Sequence, residues 1–441
     1  MSLYSDNRRR FQAILNEKGI AAVIPTNTVK VRNHDCDFRF RPDSDFWYLT
    51  GFAEPDSWLV LLPSKDGGKS ILFLRDKDPL QETWQGRRLG IDAAPDALDV
   101  DEARNVDDLW DTLGELLADH TSLMWRTGND EGRDRRMLEV VADLRRRARG
   151  GVQPPVELLD PAPILHELRL FKTEAEVEQM RAAAAITTEA HTAAMATAAP
   201  GVNECEIDAL IDYTFRRRGS TGQAYNNIVA GGANACILHY VENDAPLVDG
   251  ELLLIDAGAE MDYYASDVTR TFPVNGRFSD AQRAVYEVVL RSQIAAVNAV
   301  APGVPFLHIH EIALNELVDG LIELGVCQGT RASVIQDKSY SRFFMHKTSH
   351  WLGLDVHDCG TYTADGKPRK LEAGMVLTVE PGLYFDPSLD GVEPKYVGIG
   401  VRIEDDILVT PDGHENLTAA IPKTVDAVEA ACAESALATA R

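Results

Sequence analysis

Ligand-type side chains stand inside or directly after short apolar segments in the second half of this chain. They are Asp256 in LLLIDAGA, Asp267 in YYASDVTRTF, His350 in HWLGLDVH, Glu380 in VLTVEPG and Glu404 in GVRIEDDILV. Burying an uncompensated carboxylate is very costly, so such strands can pack only if something neutralises these groups. Segments between residues 256 and 404 are therefore expected to meet around one buried metal site. Two divalent cations would balance the four carboxylates, with one imidazole as a neutral ligand.

The length of the chain predicts two domains. At 441 residues with 45% hydrophobic side chains it exceeds one ordinary core. Up to about residue 165, apolar strand-like runs (IAAVIPT, DSWLVLLPS, KSILFLRD) alternate with amphipathic helical ones (DDLWDTLGELLAD, RRMLEVVADLRRR). A segment rich in Gly and Pro, 150–164, follows. We expect an N-terminal α/β domain over 1–165 and a second domain over 166–441.

Charge and composition exclude several partners. A formal net charge of −25 argues against binding to a nucleic-acid backbone. No apolar run approaches the roughly 18 residues needed to span a bilayer, so no membrane association is expected. The six cysteines form no CxxC pair, and no apolar segment typical of a signal peptide follows the basic N-terminal stretch. A cytoplasmic location is the expectation.

The second domain contains a weak internal repeat. Ala-Pro-Gly-Val occurs at 199–202 and again at 301–304, each time between two helical stretches. The first of these helices is predicted to begin with a capping box formed by Thr173 and Glu176. The repeat predicts a duplicated fold, with both aspartates in the first half and His350 and both glutamates in the second. The site would then lie between the two halves, where clefts commonly bind ligands.

Strand geometry predicts how some of these side chains face. If Asp256 pairs directly with Asp267 in a hairpin, the turn is centred between Met261 and Asp262, and facing side chains lie about 5 Å apart. Arg402 and Glu404 are two residues apart and share a strand face, so Arg402 can keep Glu404 ionised and oriented. The same alternation places Asp406 on this face and Asp405 on the opposite one. Arg270, three residues after Asp267, is predicted to point away from the site.

Four histidines lie in or near these motifs: His239, His346, His350 and His357. A single histidine in such a segment is more often a hydrogen-bonded core residue, but its proximity to the carboxylate motifs favours a functional site here. By contrast, His308 and His310 in FLHIHEIAL lie in a helical stretch, and we interpret them as ordinary helix residues.

The proposed ligand set is rich in hard oxygen donors. One imidazole with several carboxylates suits Mn²⁺ and can also bind Co²⁺, Zn²⁺ or Fe²⁺, but it differs from a thiolate-type structural zinc site. Two adjacent metal ions can activate water and polarise a carbonyl together. Hydrolysis of an amide bond is the reaction that this set favours.

These motifs resemble a known family. IDAGAE, SDVTRTFPV, MHKTSHWLGLDVHD, GMVLTVEPGLY and VRIEDDILV resemble the creatinase/methionine-aminopeptidase group of metallopeptidases. YNNIVAGGANACILHY, SDFWYLTGF and TWQGRRLG resemble the bacterial Xaa-Pro aminopeptidase (aminopeptidase P) subfamily, so the similarity covers nearly the whole chain. The resemblance implies an α/β (α+β) protein in which an N-terminal α/β domain precedes a pseudo-two-fold pita-bread catalytic domain.

The resemblance also implies roles for individual residues. Asp256 would bind one metal ion, His350 and Glu380 the other, and Asp267 and Glu404 would bridge both. His239 and His357 would bind substrate and stabilise the oxyanion, and Tyr384 would also bind substrate. His346 would line the pocket for the proline ring. Arg402 would support Glu404, and Glu380 would transfer a proton. Lys347 occupies a position that is often glycine in these enzymes, and it could narrow the entrance without removing a ligand.

The expected activity is release of the N-terminal residue from peptides with proline at the second position. The resemblance implies a homodimer or homotetramer, with the N-terminal domain assembling the oligomer and restricting the cleft. Three alternatives remain open: a prolidase that cleaves Xaa-Pro dipeptides, a non-catalytic pita-bread binding protein, and a creatinase-like hydrolase that works without metal. An intact ligand set disfavours the last two.

Overall fold

The computed structural model describes residues 2–433. The chain divides into two compact units, Met1–Arg169 and Leu170–Arg441. No helix in the described part of the chain is long and apolar enough to cross a membrane. All six cysteines are free thiols, and none forms a disulfide.

The first unit is built around a mixed six-stranded sheet. In spatial order its strands are Glu102–Asn105, Lys69–Leu74, Trp58–Leu62, Ile20–Pro25, Ser122–Met124 and Glu157–Leu159. Its helices are Leu3–Lys18, Ser44–Thr50, Pro79–Gln85, Ala94–Leu98, Leu109–Leu116, Glu131–Arg147 and Ala162–Leu170, and a small hairpin pairs Val31–Asn33 with Cys36–Asp37. The three apolar runs and two amphipathic runs predicted from sequence are strands and helices here, which confirms the α/β assignment.

The second unit consists of two similar halves, as the repeat predicted. The first half comprises helices Glu174–Thr197 and Glu204–Arg217 and an antiparallel sheet of Ile228–Gly231, Leu252–Asp256 and Thr269–Pro273. The second half comprises helices Asp280–Asn298 and Phe306–Glu323 and an antiparallel sheet of Val376–Val379, Asp405–Thr410 and Gly413–Asn416. Each Ala-Pro-Gly-Val sequence therefore joins two helices that precede a three-stranded sheet.

Shorter elements complete this unit. They are helices Arg331–Asp337 and Val425–Ala433 and strands Gly222–Gln223, Ala259–Met261, Tyr264–Ala265, Thr363–Ala364, Lys367–Pro368, Gly382–Tyr384 and Gly400–Arg402. The predicted capping box is present at the start of helix Glu174–Thr197, where Thr173 accepts from the Glu176 amide and the Glu176 carboxylate accepts from the Thr173 amide at 2.8 Å. A large core of apolar side chains from both halves holds the unit together.

The hairpin that carries the two aspartates differs from the predicted register. Asp256 pairs with Thr269 rather than with Asp267. The turn is centred on Asp262 and Tyr263, whose φ angles are 47° and 65°. Two consecutive residues with positive φ are typical of a type I′ hairpin turn, whose twist matches that of the flanking strands. The register is therefore two residues away from the prediction, which leaves Asp256 and Asp267 diagonal to each other but on the same face.

Candidate metal centre and active site

The five predicted ligands come together on the wall of one cavity in the second unit. Its volume is about 820 Å³, and all five residues line it. Asp256 ends strand Leu252–Asp256, Glu380 directly follows strand Val376–Val379, and Glu404 lies between strands Gly400–Arg402 and Asp405–Thr410. The two halves meet here, because the Glu404 amide donates to the Thr269 carbonyl at 3.1 Å. Residues from both halves of the repeat are thus brought to one site.

The distances between these side chains suit a metal centre. His350 Nε2 lies 3.3 Å from Asp267 Oδ2 and 3.8 Å from Glu380 Oε1. Ligand atoms of Asp267, His350 and Glu404 all lie within 4.8 Å of one another. His350 Nδ1 is 3.0 Å from the carbonyl oxygen of Trp351, to which it can donate. That hydrogen bond selects the tautomer whose Nε2 is free to bind a metal ion.

The charges of the site call for a cation. Burial, reinforced by repulsion from neighbouring carboxylates, raises the pKa of Glu404 well above its ordinary value and that of Glu380 to about 7. Burial also raises the pKa of Asp256, while Arg402 opposes the rise. Burial alone would lower the pKa of His350, but the hydrogen bond and charge of Asp267 outweigh it and raise that pKa to about 9. Carboxylates this costly to ionise are compensated well by divalent ions, so the donor set fits the predicted metals.

Arg402 connects the ligands to one another. Its Nη2 donates to Asp256 Oδ2 at 2.6 Å, and its Nε donates to the Thr269 hydroxyl at 2.9 Å. That hydroxyl in turn donates to Glu404 Oε2 at 2.7 Å. Arg402 therefore contacts Asp256 directly and reaches Glu404 through Thr269, whereas the strand spacing had suggested direct support of Glu404. The difference arises because the chain leaves the strand at Ile403 and Glu404.

The two acids that follow Glu404 face opposite ways, as the alternation predicted. Asp406 accepts from the Ser266 hydroxyl at 2.8 Å and from the Asp267 amide at 3.1 Å, behind the ligand set. Asp405 is fully buried on the other side, where it pairs with Arg270 at 2.7 Å. Arg270 thus points away from the cavity, which confirms its predicted orientation.

Three further predicted histidines line the same cavity: His239, His346 and His357. His239 and His357 are exposed, and the rings of His357 and His350 are 4.3 Å apart. His346 Nε2 lies 2.9 Å from the Tyr384 hydroxyl. Burial lowers the pKa of His346 to about 4, so the neutral ring can accept at Nε2 from Tyr384 and donate from Nδ1 to a carbonyl oxygen.

Tyr384 itself does not reach the cavity. It is fully buried and is not among the lining residues, although substrate binding was expected of it. Its hydroxyl accepts from Arg402 Nη1 at 3.0 Å and contacts His346. Because it lies behind both side chains, the geometry supports a positioning role rather than direct contact with substrate.

The family follows from comparison with known proteins. Residues 178–411 match metallopeptidase family M24, and residues 4–125 match the N-terminal domain of aminopeptidase P. The chain belongs to metallopeptidase family M24. The predicted resemblance and the pita-bread fold class are thereby confirmed.

Individual relatives of this M24 peptidase are similar over almost their whole length. The Xaa-Pro aminopeptidase of Haemophilus influenzae is 45% identical over 400 residues, which cover 91% of this chain and 90% of the relative. The structure of the Pseudomonas aeruginosa aminopeptidase PepP matches with a TM-score of 0.96 at 43% identity, covering 98% of each chain. Zinc-substituted Escherichia coli aminopeptidase P, in complex with product, matches with a TM-score of 0.95 at 42% identity, covering 99% of each chain.

The M24 site also includes residues that sequence reasoning missed. His310 lines the cavity from the start of helix Phe306–Glu323, with its Nδ1 2.9 Å from the Thr348 hydroxyl. Its neighbour His308 is exposed beside Glu311, as expected of an ordinary helix residue. Tyr225 donates to Asp256 Oδ1 at 2.6 Å. A signal was available for Thr269, which is two residues from Asp267 and therefore on its face, whereas neither Tyr225 nor His310 stands near a ligand in the sequence.

Proposed function

We propose that this protein is a dinuclear metal-dependent aminopeptidase that releases the N-terminal residue from peptides with proline at the second position. One observation carries the proposal: four carboxylates and an imidazole converge in one cavity of a chain that is 45% identical to an Xaa-Pro aminopeptidase. A metal-free or purely binding relative would have no need to keep this costly set of buried acids together.

The proposed centre uses all five ligands. Asp256, Asp267, His350, Glu380 and Glu404 would together hold the two ions. Mn²⁺ suits this oxygen-rich set best, with Co²⁺, Zn²⁺ and Fe²⁺ as alternatives. When bound, the ions would supply Lewis-acid chemistry by making water a better nucleophile and by polarising the scissile carbonyl.

The protein's own side chains would complete the reaction. His239 and His357 are exposed at the cavity. They would bind the peptide and donate to the oxyanion that develops at the carbonyl. Glu380 would carry a proton from the attacking water to the proline nitrogen as the bond breaks. His346, held by Tyr384, would line the pocket for the proline ring. Arg402 would keep Asp256 in place.

A prolidase also needs a group that binds the carboxylate on the proline itself. The guanidinium of Arg402 is already committed to Asp256, Tyr384 and Thr269, and that of Arg270 faces Asp405. Neither arginine is free for that role, and the aminopeptidase assignment is favoured over the prolidase chiefly because the chain is 45% identical to an Xaa-Pro aminopeptidase over 90% of that relative.

The function is tested with the manganese-loaded protein on two matched tripeptides, Ala-Pro-Ala and Ala-Ala-Ala. We expect alanine to be released from the first and hardly from the second. Comparable release from both would contradict the specificity for proline, and release from neither would contradict the activity.

Location and assembly extend the same proposal. The six free cysteines suit a reducing compartment, so we place the protein in the cytoplasm. We assign oligomer assembly and restriction of the cleft to the N-terminal unit, which exposes Leu80 and Trp84, with exposed fractions of 67% and 81%, four residues apart on one helix. Light scattering at micromolar concentration should give a dimer or a tetramer. A full-length monomer would contradict this assignment.

A further inference from the structure

Lys347 is a cation on the wall of the active-site cavity. Lys347 lines the cavity, is exposed, and forms no ion pair with a carboxylate anywhere in residues 2–433. The guanidinium of Arg402, also on the wall, is bound to Asp256 at 2.6 Å. Of these two, the ammonium of Lys347 is the one available to a ligand.

The place of Lys347 along the wall is defined by its neighbours. It directly follows His346, whose Nδ1 lies 2.8 Å from the Lys347 carbonyl oxygen. Its charge reaches His310, because it is second only to burial in lowering the pKa of that imidazole. Lys347 therefore lies beside His346, the residue assigned to the proline ring, and near His310 at the start of helix Phe306–Glu323. If His346 lines the proline pocket, the residue after proline is expected beside Lys347.

The electrostatics of this place favour an anion. Two divalent ions would balance the charge of the four ligand carboxylates. The positive charges of Arg402 and Lys347 would then remain, and Arg402 already forms an ion pair with Asp256. Phe306, Leu307 and His310 line the cavity from the first turns of their helix, so its N-terminal end adds partial positive charge nearby. No side chain caps that end, since its N-cap residue is Pro305.

We propose that Lys347 determines specificity by binding a carboxylate carried by the residue that follows proline in the substrate. The inference rests on the proposed aminopeptidase function. The carboxylate has two sources: an acidic side chain at the third position, or the free C-terminus of a tripeptide. In both cases the ammonium and the carboxylate form a charge-assisted hydrogen bond at the cavity wall.

Three matched peptides separate the two sources. They are Ala-Pro-Asn amide, which has no carboxylate; Ala-Pro-Asp amide, which has one on the side chain; and Ala-Pro-Asn with a free C-terminus. The enzyme forms are the wild type, Lys347→Met, Lys347→Glu and the control Lys65→Met, all loaded with Mn²⁺. Lys65 is exposed in the first unit and does not line the cavity, so its substitution removes a positive charge elsewhere.

We expect the wild type and the Lys65→Met control to favour at least one carboxylate peptide over the neutral amide. The kcat/KM for that peptide should exceed the kcat/KM for the neutral amide by about threefold to thirtyfold. This range lies between the effect of an exposed ion pair and that of a buried charge-assisted hydrogen bond. The ratio of the two kcat/KM values should fall to about one in Lys347→Met and below one in Lys347→Glu. Raising the ionic strength should reduce the wild-type ratio. The peptide that shows the preference identifies the source of the carboxylate.

Product binding provides a readout that does not depend on turnover. Calorimetry should show that the wild type binds Pro-Asp amide more tightly than Pro-Asn amide if the side chain is the source, and Pro-Asn more tightly than its amide if the terminus is. Lys347→Met should lose that difference. Equal ratios in the wild type and Lys347→Met, or a wild type that prefers neither carboxylate peptide, would overturn the proposal. Failure of the wild type to cleave any Xaa-Pro peptide would instead contradict the proposed function.

Discussion

Replacing Glu380 with glutamine should have opposite effects on the metal-free and the metal-loaded protein. In the metal-free protein the Glu380 carboxylate is costly to ionise, because burial and the charges of Asp267 and Asp256 raise its pKa to about 7 from an ordinary value of 4.5. Glutamine has the same shape without the charge, so Glu380→Gln should stabilise the metal-free protein at neutral and alkaline pH. In the loaded protein it replaces a charged ligand with a neutral amide and should weaken the gain in stability that the metal gives.

The size and the pH window follow from proton linkage. Between pH 4.5 and 7 the folded state holds a proton on Glu380 that the unfolded state has lost, so the free energy of unfolding falls as the pH rises through this window. The rise of the Glu380 pKa from 4.5 to about 7 lowers the free energy of unfolding of the wild type by about 3 kcal/mol at pH 8. For a unit of this size, that is an increase in Tm of about 5–10 °C for the variant. At pH 4.5 and below the charge-related difference should vanish.

The measurement is urea or thermal unfolding at pH 5 and pH 8, with metal removal verified by elemental analysis. Glu372→Gln is the control, because the Glu372 side chain is 58% exposed and does not line the cavity. Wild type and control should lose stability together as the pH rises, while Glu380→Gln should lose less. If Glu380→Gln is less stable than the wild type at pH 8 without metal, or if the difference does not change between the two pH values, the electrostatic account of the site is wrong.

Other predictions concern activity. Treatment with a chelator should abolish hydrolysis and Mn²⁺ should restore it, because the buried carboxylates repel one another without a cation; full activity in a verified metal-free preparation would refute the dependence. His239→Ala and His357→Ala should each lower kcat by about 10²–10³ with metal content nearly intact, since each removes a donor to the transition state; loss of stoichiometric metal from either variant would show that a ligand had been taken for a catalytic partner. Xaa-Pro-Yaa and longer peptides should be cleaved with a higher kcat/KM than Xaa-Pro dipeptides, because Arg402 and Arg270 already bind carboxylates of the protein and Lys347 is assigned to a carboxylate on the residue after proline; the reverse order would shift the assignment to prolidase.

The sequence by itself determined which residues must meet. A carboxylate inside an apolar strand is so costly to bury that Asp256, Glu380 and Glu404 had to be compensated together, and this reasoning needs no knowledge of the fold. Periodicity also identified faces correctly, since alternation of side chains along a strand is a local property. Asp405 and Arg270 were assigned to the opposite side on this basis, and they form a buried ion pair there.

Tertiary structure decided how these residues contact one another. The register of the aspartate hairpin depended on Asp262 and Tyr263 adopting positive φ, a conformation that hydrophobic patterning does not reveal. The link from Arg402 through Thr269 to Glu404 joins strands from the two halves of the repeat. His310 lines the cavity because its helix begins there. Such contacts depend on how distant segments pack, and spacing along the chain does not specify that packing. Local patterns fix only the direction in which a side chain points, not the residue that it contacts.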